Sequence, residues 1–366
     1  MGLDDIIDEY FPAEKPAKAP RRPARAVPVE TVITRAAAPS VPLAKRPEAL
    51  ELSAKLAEVL APEPAPALPP REPLRLPVGL HLDVSHEDYI ADPAERPSLN
   101  ASIAKVITER SLMHAHYLHP RLGGGSNDDA SEAKGRGSVL HALILGVGQE
   151  IVTIDADSFR TKAAKEDRDS AIAAGKLPML AGQYEELIEL ADILRTRLLA
   201  KGVTLRGQKE LTAIWERDGV LCRCRFDHLD AEAFEIDDLK FCASASPEEI
   251  TRKMIAFGYD VQHASNVEGL ETLIHDAAGR SRMRFVFVEV DPPYEITVAE
   301  PSGALRELGM KKWKRAKSLW RPALESNVWP GYTAGIFRVD APAWAVTKDS
   351  ETQANRMEPS NGTEPF

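Results

Sequence analysis

Apolar and polar positions alternate most clearly between residues 208 and 241, where short strand patterns follow one another. Two runs rich in β-branched, aromatic and other apolar residues flank Asp218 and Gly219, and a third run ends at Phe241. An Asp-Gly pair between two such runs is the strongest short-range signal for a two-residue hairpin turn. The sequence therefore predicts three consecutive antiparallel strands in this region.

The predicted turn fixes the register of the first two strands. Residues equidistant from the turn lie opposite each other, so Glu210 faces Asp227, and opposed residues project from the same face. A symmetric second connection places Asp238 beside Asp227 on that face. Lys240 follows two residues later and joins them, whereas Asp237 points to the other face. The prediction is a row of three carboxylates that ends in a lysine.

This row of like charges needs a counter-charge, because like charges directly opposite one another destabilise a sheet. Mg²⁺ binds to one or two carboxylates together with waters and substrate phosphate oxygens, which fits these side chains, and Mn²⁺ has similar ligand preferences. A lysine beside such an ion can orient or deprotonate an attacking water. The alternative is a solvated sheet face whose acidic residues are unrelated, and the spacing alone does not choose between the two.

Helical patterns surround the strands. Ser98 or Asn100 can cap the periodic helix that follows. Residues 181–202 have apolar residues at the spacing that places them along one face of an amphipathic helix. Residues 303–326 form a basic stretch that also contains two tryptophans. This stretch can follow a DNA backbone, or it can be a packing helix with a solvated basic face.

The acidic residues and the lysine resemble the signature of a nuclease superfamily. Asp227, followed eleven residues later by Asp238, Leu239 and Lys240, is similar to the Asp…(Asp/Glu)-x-Lys signature of the PD-(D/E)XK nucleases. Three stretches narrow the resemblance to the RecB/RecE-type branch, closest to RecE-like (exonuclease VIII) domains of phages and prophages: GSVLHALILG around His141, CRCRFDHL around Asp227 and GYDVQHA around Gln262. The resemblance covers roughly residues 78–345, and the motifs follow the family's order.

This resemblance implies an α/β fold with a restriction-endonuclease-like core, in which a central mixed sheet is flanked by helices. It implies a Mg²⁺-dependent exodeoxyribonuclease that digests double-stranded DNA ends from 5′ to 3′ in phage-type recombination. The implied catalytic residues are Glu210, Asp227, Asp238 and Lys240, the metal ligands are the three acids with His141, and the DNA-binding residues are Arg225 and Gln262. The family's Gln-x-x-x-Tyr motif has Asn266 in the tyrosine position, a departure that concerns DNA placement and not the metal chemistry.

Two of these residues also have a structural interpretation. His141 lies among apolar residues, where a lone histidine is usually a satisfied core residue. Arg225 suits a phosphate contact, and the alternative is an ion pair with the neighbouring acids. The family resemblance favours the functional interpretation of both.

Residues outside the resemblance have compositions typical of disorder. Residues 1–77 are dominated by Pro and Ala, cannot bury enough apolar surface to fold, and are predicted to be a disordered arm. Residues 346–366 are polar and are predicted to be a disordered tail. The first ten residues have apolar positions at helical spacing, which favours either an inert terminus or a peptide that docks in a partner's groove. A recombination role implies a single-strand annealing protein as that partner, and related enzymes form rings, so a homo-oligomer is expected.

Composition limits the remaining possibilities. The 366 residues are 43% hydrophobic and 28% charged, an ordinary globular composition with an ample core. The formal net charge of −10 argues against non-specific coating of DNA but allows a local basic channel. Three cysteines do not form a disulfide framework, and no apolar run is as long as a membrane span. We therefore expect a cytoplasmic protein with no membrane partner, and no phosphate-cradling loop indicates an ATPase motor.

Two rival functions stay open at this point. One is an endonuclease or a structure-specific nuclease of the same superfamily. The other is a DNA-binding recombination-partner module with a vestigial nuclease site. The presence of Glu210, Asp227, Asp238 and Lys240 together argues against such decay.

Overall fold

A central mixed sheet organises the protein. The computed structural model describes residues 72–125, 132–333 and 335–357, so most of the predicted arm 1–77 lies outside the described residues. The strands are β1 (Gly79–His81), β2 (Ile151–Ile154), β3 (Leu177–Leu180), β4 (Gln208–Arg217), β5 (Val220–Asp230), β6 (Glu235–Cys242), β7 (Arg282–Glu289) and β8 (Ile296–Ala299). Six of them form one sheet in the order β1-β4-β5-β6-β7-β8, while β2 and β3 form a separate parallel pair.

Helices fill the connections between the strands. They are α1 (His86–Ile90), α2 (Ala101–Glu109), α3 (Leu112–Leu118), α4 (Glu132–Leu145), α5 (Lys162–Ala173), α6 (Ala181–Ala200), α7 (Pro247–Ala256), α8 (Tyr259–Leu273), α9 (Gly303–Ser326) and α10 (Ala343–Met357). The Asn100 side chain caps α2 by accepting a hydrogen bond from the Ile103 amide at 2.9 Å, which confirms one of the two predicted caps. No helix within the described ranges combines the length and the apolar character that crossing a bilayer requires.

The predicted register of the first hairpin is confirmed. Arg217 pairs with Val220 across the turn, and both turn residues have the positive φ of a tight hairpin, 57° at Asp218 and 73° at Gly219. The pairs on either side of Glu210 keep the same register, so Glu210 and Asp227 are opposed, as the sequence predicts.

Strands β5 and β6 also have the predicted register, but they pair over a short length. Pairing runs from Asp230 with Glu235 to His228 with Asp237, and it stops there. Strand β6 continues beside β7 in a parallel pairing along its full length. Because β5 leaves β6 at Asp227 while β6 keeps its other neighbour, a gap opens on the Asp227 side of β6.

Two helical layers cover the sheet. Helices α4 and α6 pack on Leu239, Val286 and Val288, whereas Tyr259 of α8 stacks on Phe285 with ring centroids 5.4 Å apart. Phe285 and Val286 are consecutive residues of β7, so the two layers lie on opposite faces. This confirms the predicted α/β fold with a central mixed sheet flanked by helices.

The last helix overlaps a segment for which the sequence predicts disorder. Helix α10 (Ala343–Met357) continues past residue 346, where the predicted tail begins. Its described side chains are mostly exposed. The division of the chain into arm, domain and tail stays a prediction.

Candidate active site

The gap between β5 and β6 opens into a cavity of about 840 Å³. Its walls come from α1, α4, α8 and the strands that carry the predicted acids. The predicted site residues that line it are His141, Glu210, Arg225, Asp227, Asp238, Lys240 and Gln262. The fold therefore brings together all seven of the predicted site residues.

Three of these residues form a compact group. His141 of α4 lies with Nδ1 3.5 Å from Glu210 Oε1 and Nε2 3.1 Å from Asp227 Oδ2. One ligand atom from each residue lies within 4.8 Å of the others. The Asp227 carboxylate also accepts a hydrogen bond from the Leu239 amide at 2.9 Å, which fixes it where the two strands part.

Glu210 reaches this group through an unusual backbone conformation. Its φ is 52°, in the left-handed region that a residue with a side chain rarely adopts. The regular pairing of β4 with β5 omits Glu210 but includes the residues on both sides of it. Strain of this kind persists only where the surrounding structure enforces it, and it concentrates at functional sites.

The third acid has different neighbours. The Asp238 carboxylate accepts a hydrogen bond from Gln262 Nε2 at 2.6 Å, and it lies 2.6 Å from the Lys240 ammonium. The ammonium also lies 4.8 Å from the ring centre of Tyr259. Asp238 is thus held beside the lysine, and its predicted role as a metal ligand stays a prediction.

Burial and neighbouring charges shift the pKa values of the site. Burial raises the pKa of Asp238 to about 6, with Lys240 opposing this shift and Asp227 adding to it. Burial, and then Asp227, raise the pKa of Glu210. Burial alone would lower the pKa of His141, but Asp227 and Glu210 outweigh it and raise the pKa to about 9. The imidazole therefore carries the charge that balances the acids in the metal-free protein.

The same competition acts on the other two groups. Burial would raise the pKa of Asp227, but His141 and Lys240 outweigh it and lower this pKa. Burial would lower the pKa of Lys240, but Asp238 and Asp227 raise it above its ordinary value. Lys240 is consequently an ammonium at neutral pH.

Arg225 occupies the position that the ion-pair interpretation predicts. Its guanidinium lies 3.1 Å from Glu210 Oε2, donates to the Val84 carbonyl at 2.6 Å, and lies 4.5 Å from the ring centre of Tyr89. It holds Glu210 in place and ties the site to the segment before α1. Its predicted contact with DNA stays a prediction.

The donor set fits a hard divalent cation. Glu210 and Asp227 offer carboxylate oxygens, and a neutral His141 offers an imidazole nitrogen. Carboxylate and water oxygens suit Mg²⁺ and Mn²⁺, and imidazole is a common additional ligand. A bound cation would take over the charge that the proton on His141 provides in the metal-free protein.

The sequence does not predict two residues of the cavity wall. His86 and Tyr89 of the short helix α1 line the cavity. Burial, and then Arg225 and His141, lower the pKa of His86, and burial raises the pKa of Tyr89 to about 12. A five-residue helix leaves no periodic pattern, so only the folded chain shows that these residues lie near Glu210.

The basic helix α9 serves largely as a packing element. Lys317 is 2% exposed and lies 2.8 Å from both Glu268 and Asp218. Lys312 lies 2.7 Å from the buried Asp260. Trp313 is fully buried. These contacts favour the packing interpretation for this face of α9.

Comparisons with known proteins identify a family for the chain. A family model described as a PDDEXK-like domain of unknown function, DUF3799, matches residues 133–338. None of the curated proteins matches the chain. A crystal structure of a candidate exonuclease from Eubacterium rectale is 15% identical with a TM-score of 0.47, over 73% of this chain and 99% of that one.

A second similar structure is a phage-related exonuclease from Haemophilus somnus 129PT. It is 12% identical with a TM-score of 0.28, over 63% of this chain and 96% of that one. The family model includes more than half of this chain and all seven site residues. The chain therefore belongs to the PDDEXK-like family DUF3799, within the PD-(D/E)XK nuclease superfamily.

Proposed function

We propose that the protein is a divalent-metal-dependent exodeoxyribonuclease that hydrolyses double-stranded DNA from its ends. The observation that carries the proposal is the group of His141, Glu210 and Asp227, within 4.8 Å of one another beside the pair of Lys240 and Asp238. This group faces an open cavity rather than a closed core. Digestion from 5′ to 3′ and a place in phage-type recombination are the finer parts of the proposal.

Glu210, Asp227 and His141 would hold Mg²⁺, and Mn²⁺ can substitute for it. A bound cation stabilises charge on the scissile phosphate and lowers the pKa of a water molecule. The proton on His141 must leave for the imidazole to become a ligand. The Leu239 amide and the Arg225 guanidinium orient Asp227 and Glu210, so the ligands are in place before the cation binds.

Lys240 acts as a cation beside the scissile phosphate. Its ion pair with Asp238, at 2.6 Å, keeps it protonated. A protonated lysine can orient the attacking water and stabilise the negative charge that develops during hydrolysis. Gln262 donates to Asp238 and thereby holds the lysine's partner in one position.

The proposal can be tested by incubating the purified protein and Mg²⁺ with the same double-stranded DNA in its linear form and as a closed circle. We expect loss of linear double-stranded DNA while the closed circle survives, and no loss with EDTA or with a folded Lys240→Ala variant. Labels at the 5′ or 3′ end then give the direction of digestion. Cutting of the circle would establish an endonuclease instead. Absence of digestion with retained DNA binding would establish a binding module with an inactive site.

The partners are a separate part of the proposal. The arm 1–77 would recruit a single-strand annealing protein, and several copies of the chain would form a ring. Removal of residues 1–77 should abolish capture of the annealing protein in a pull-down and leave digestion of linear DNA intact. Capture that survives this deletion would contradict the role of the arm.

A further inference from the structure

A second cavity adjoins the first on the side of α2 and α8. Its volume is about 460 Å³, within the range of about 300–1,000 Å³ that is typical of small-ligand sites. It shares Tyr89, Arg225, Lys240 and Gln262 with the cavity of the candidate active site. A group bound in it would therefore be a direct neighbour of the scissile position.

The cations that line this second cavity are already neutralised. Lys105 lies 2.7 Å from Glu109, and Arg223 lies 3.2 Å from Asp92. Arg225 and Lys240 have Glu210 and Asp238 as partners, at 3.1 Å and 2.6 Å. Each of these cations is thus held in place by an acid, and the Nε of Arg223 still has no hydrogen-bond partner.

Asn266 offers the cavity an unused hydrogen-bonding group. The residue is 2% exposed and lines the cavity, yet its side-chain Nδ2 has no hydrogen-bond partner. Buried polar groups in folded proteins are nearly always hydrogen-bonded, so an unpaired amide requires an explanation. A ligand with an acceptor atom would satisfy it.

An exposed aromatic ring lies in the wall of the same cavity. Phe257 is 59% exposed, and its ring centre lies 5.8 Å from that of Tyr259. Asn100 and Ser102 add small neutral polar groups to the wall. An exposed aromatic ring beside polar groups and cations is the environment in which proteins bind unstacked nucleobases.

We propose that this cavity receives the nucleobase next to the scissile phosphodiester, unstacked from the DNA end. The inference rests on the proposed nuclease function and adds a determinant of base preference to it. Phe257 stacks on the base, and Asn266 Nδ2 donates to an acceptor on the base edge. The four bases present their acceptor atoms at different places on their edges, so a single fixed donor discriminates among them.

Equilibrium binding in EDTA tests this without cleavage. The probes are short duplexes that end in a single unpaired A, C, G or T, each with and without a terminal phosphate. For the wild-type protein we expect the most tightly bound base to bind about tenfold more tightly than the weakest base. Asn266→Ala should abolish the preference, and Phe257→Ala should weaken binding of all four bases about tenfold while keeping their order.

Ser265→Ala is the matched control. Ser265 is a fully buried neighbour on α8 whose hydroxyl is also unpaired, but it is not part of the cavity wall. Its variant should keep the base preference. Equal binding of the four bases, or a preference that survives Asn266→Ala, would overturn the proposal. The proposal would also be overturned if Asn266→Ala weakened binding only of the duplexes that carry a terminal phosphate, whichever base they end in.

Digestion of the same duplexes with Mg²⁺ separates this inference from the proposed function. Absence of digestion together with base-dependent binding would reject the nuclease and retain the cavity as a base-binding site. Digestion that proceeds with no base preference in binding would retain the nuclease and reject the base-binding site.

Discussion

Asp237 and Asp238 are neighbours on β6, yet they have opposite surroundings on the two faces of the sheet. Asp237 is fully buried, accepts a hydrogen bond from Arg284 Nε at 2.6 Å, and lies 3.1 Å from His228 Nδ1. Asp238 lies beside Lys240 and lines a cavity that is open to solvent. The same residue type thus belongs to a closed ion-pair network on one face and to a candidate active site on the other.

The difference lies in how each face balances its charge. Arg284 joins Asp237 and Glu235, both at 2.6 Å, so permanent charges of the fold neutralise the closed face. On the open face, Glu210 and Asp227 share His141, whose charge depends on a proton that can leave. Arg225 and Lys240 add permanent charges to the open face, and the closed face also has an imidazole, that of His228, beside Asp237. What distinguishes the metal site from the structural cluster is therefore a histidine that two acids share beside an open cavity.

The largest expected difference between the faces concerns activity. Lys240→Met should lower the rate of digestion of linear DNA about 10³-fold or more, because it removes the charge beside the scissile phosphate. The variant should remain folded, since Asp238 can take up a proton and keep its hydrogen bond from Gln262. Initial rates with Mg²⁺ measure the effect, and a rate within tenfold of the wild type would contradict it.

The corresponding change on the closed face should affect stability instead. Arg284→Met leaves the buried Asp237 without its strongest partner and should lower the free energy of unfolding by about 3–5 kcal/mol. Urea unfolding of the metal-free protein measures this. Lys240→Met is the matched comparison, and an equal loss of stability in both variants would remove the distinction between the faces.

Metal binding should depend on the histidine of the open face. His141→Ala should weaken Mn²⁺ binding about 10–100-fold, because one of three clustered ligands is lost. Calorimetric titration of the folded protein measures the affinity. His228→Gln, on the closed face, is the control and should leave the affinity unchanged.

The smallest expected effect is the pH dependence of the metal-free protein. Folding raises the pKa of Asp238 from 3.8 to about 6 and that of His141 from 6.5 to about 9. The folded state therefore binds these protons more tightly, and their stabilisation is lost as the pH rises through those values. Between pH 6.5 and 9 the free energy of unfolding should fall by on the order of 2 kcal/mol because of His141.

Urea unfolding at both pH values measures this loss. His141→Gln should abolish it, and saturating Mg²⁺ should oppose it by holding the imidazole in its neutral form. A free energy of unfolding in the wild type that stays constant from pH 6.5 to 9 would contradict the assignment of His141 as the counter-charge.

The sequence predicts the parts of the site that local geometry determines. A two-residue turn at Asp218 and Gly219 sets the register of its strands, and this alone places Glu210 opposite Asp227. The alternation of a strand then separates Asp238 from Asp237. The α/β fold and the superfamily follow from the order of motifs along the chain, and both are confirmed.

Other parts of the site depend on contacts between residues far apart in the chain. The left-handed backbone of Glu210 leaves no pattern in the sequence. The meeting of His141 with the acids requires α4 to pack against the sheet, and the cavity beside Asn266 requires α2 to pack against α8. Turn chemistry and strand alternation determined the row of acids from the sequence alone. Only tertiary packing decided which acids share His141, because α4 supplies that side chain from a distant part of the chain, whereas Lys240 lies on the same strand as Asp238.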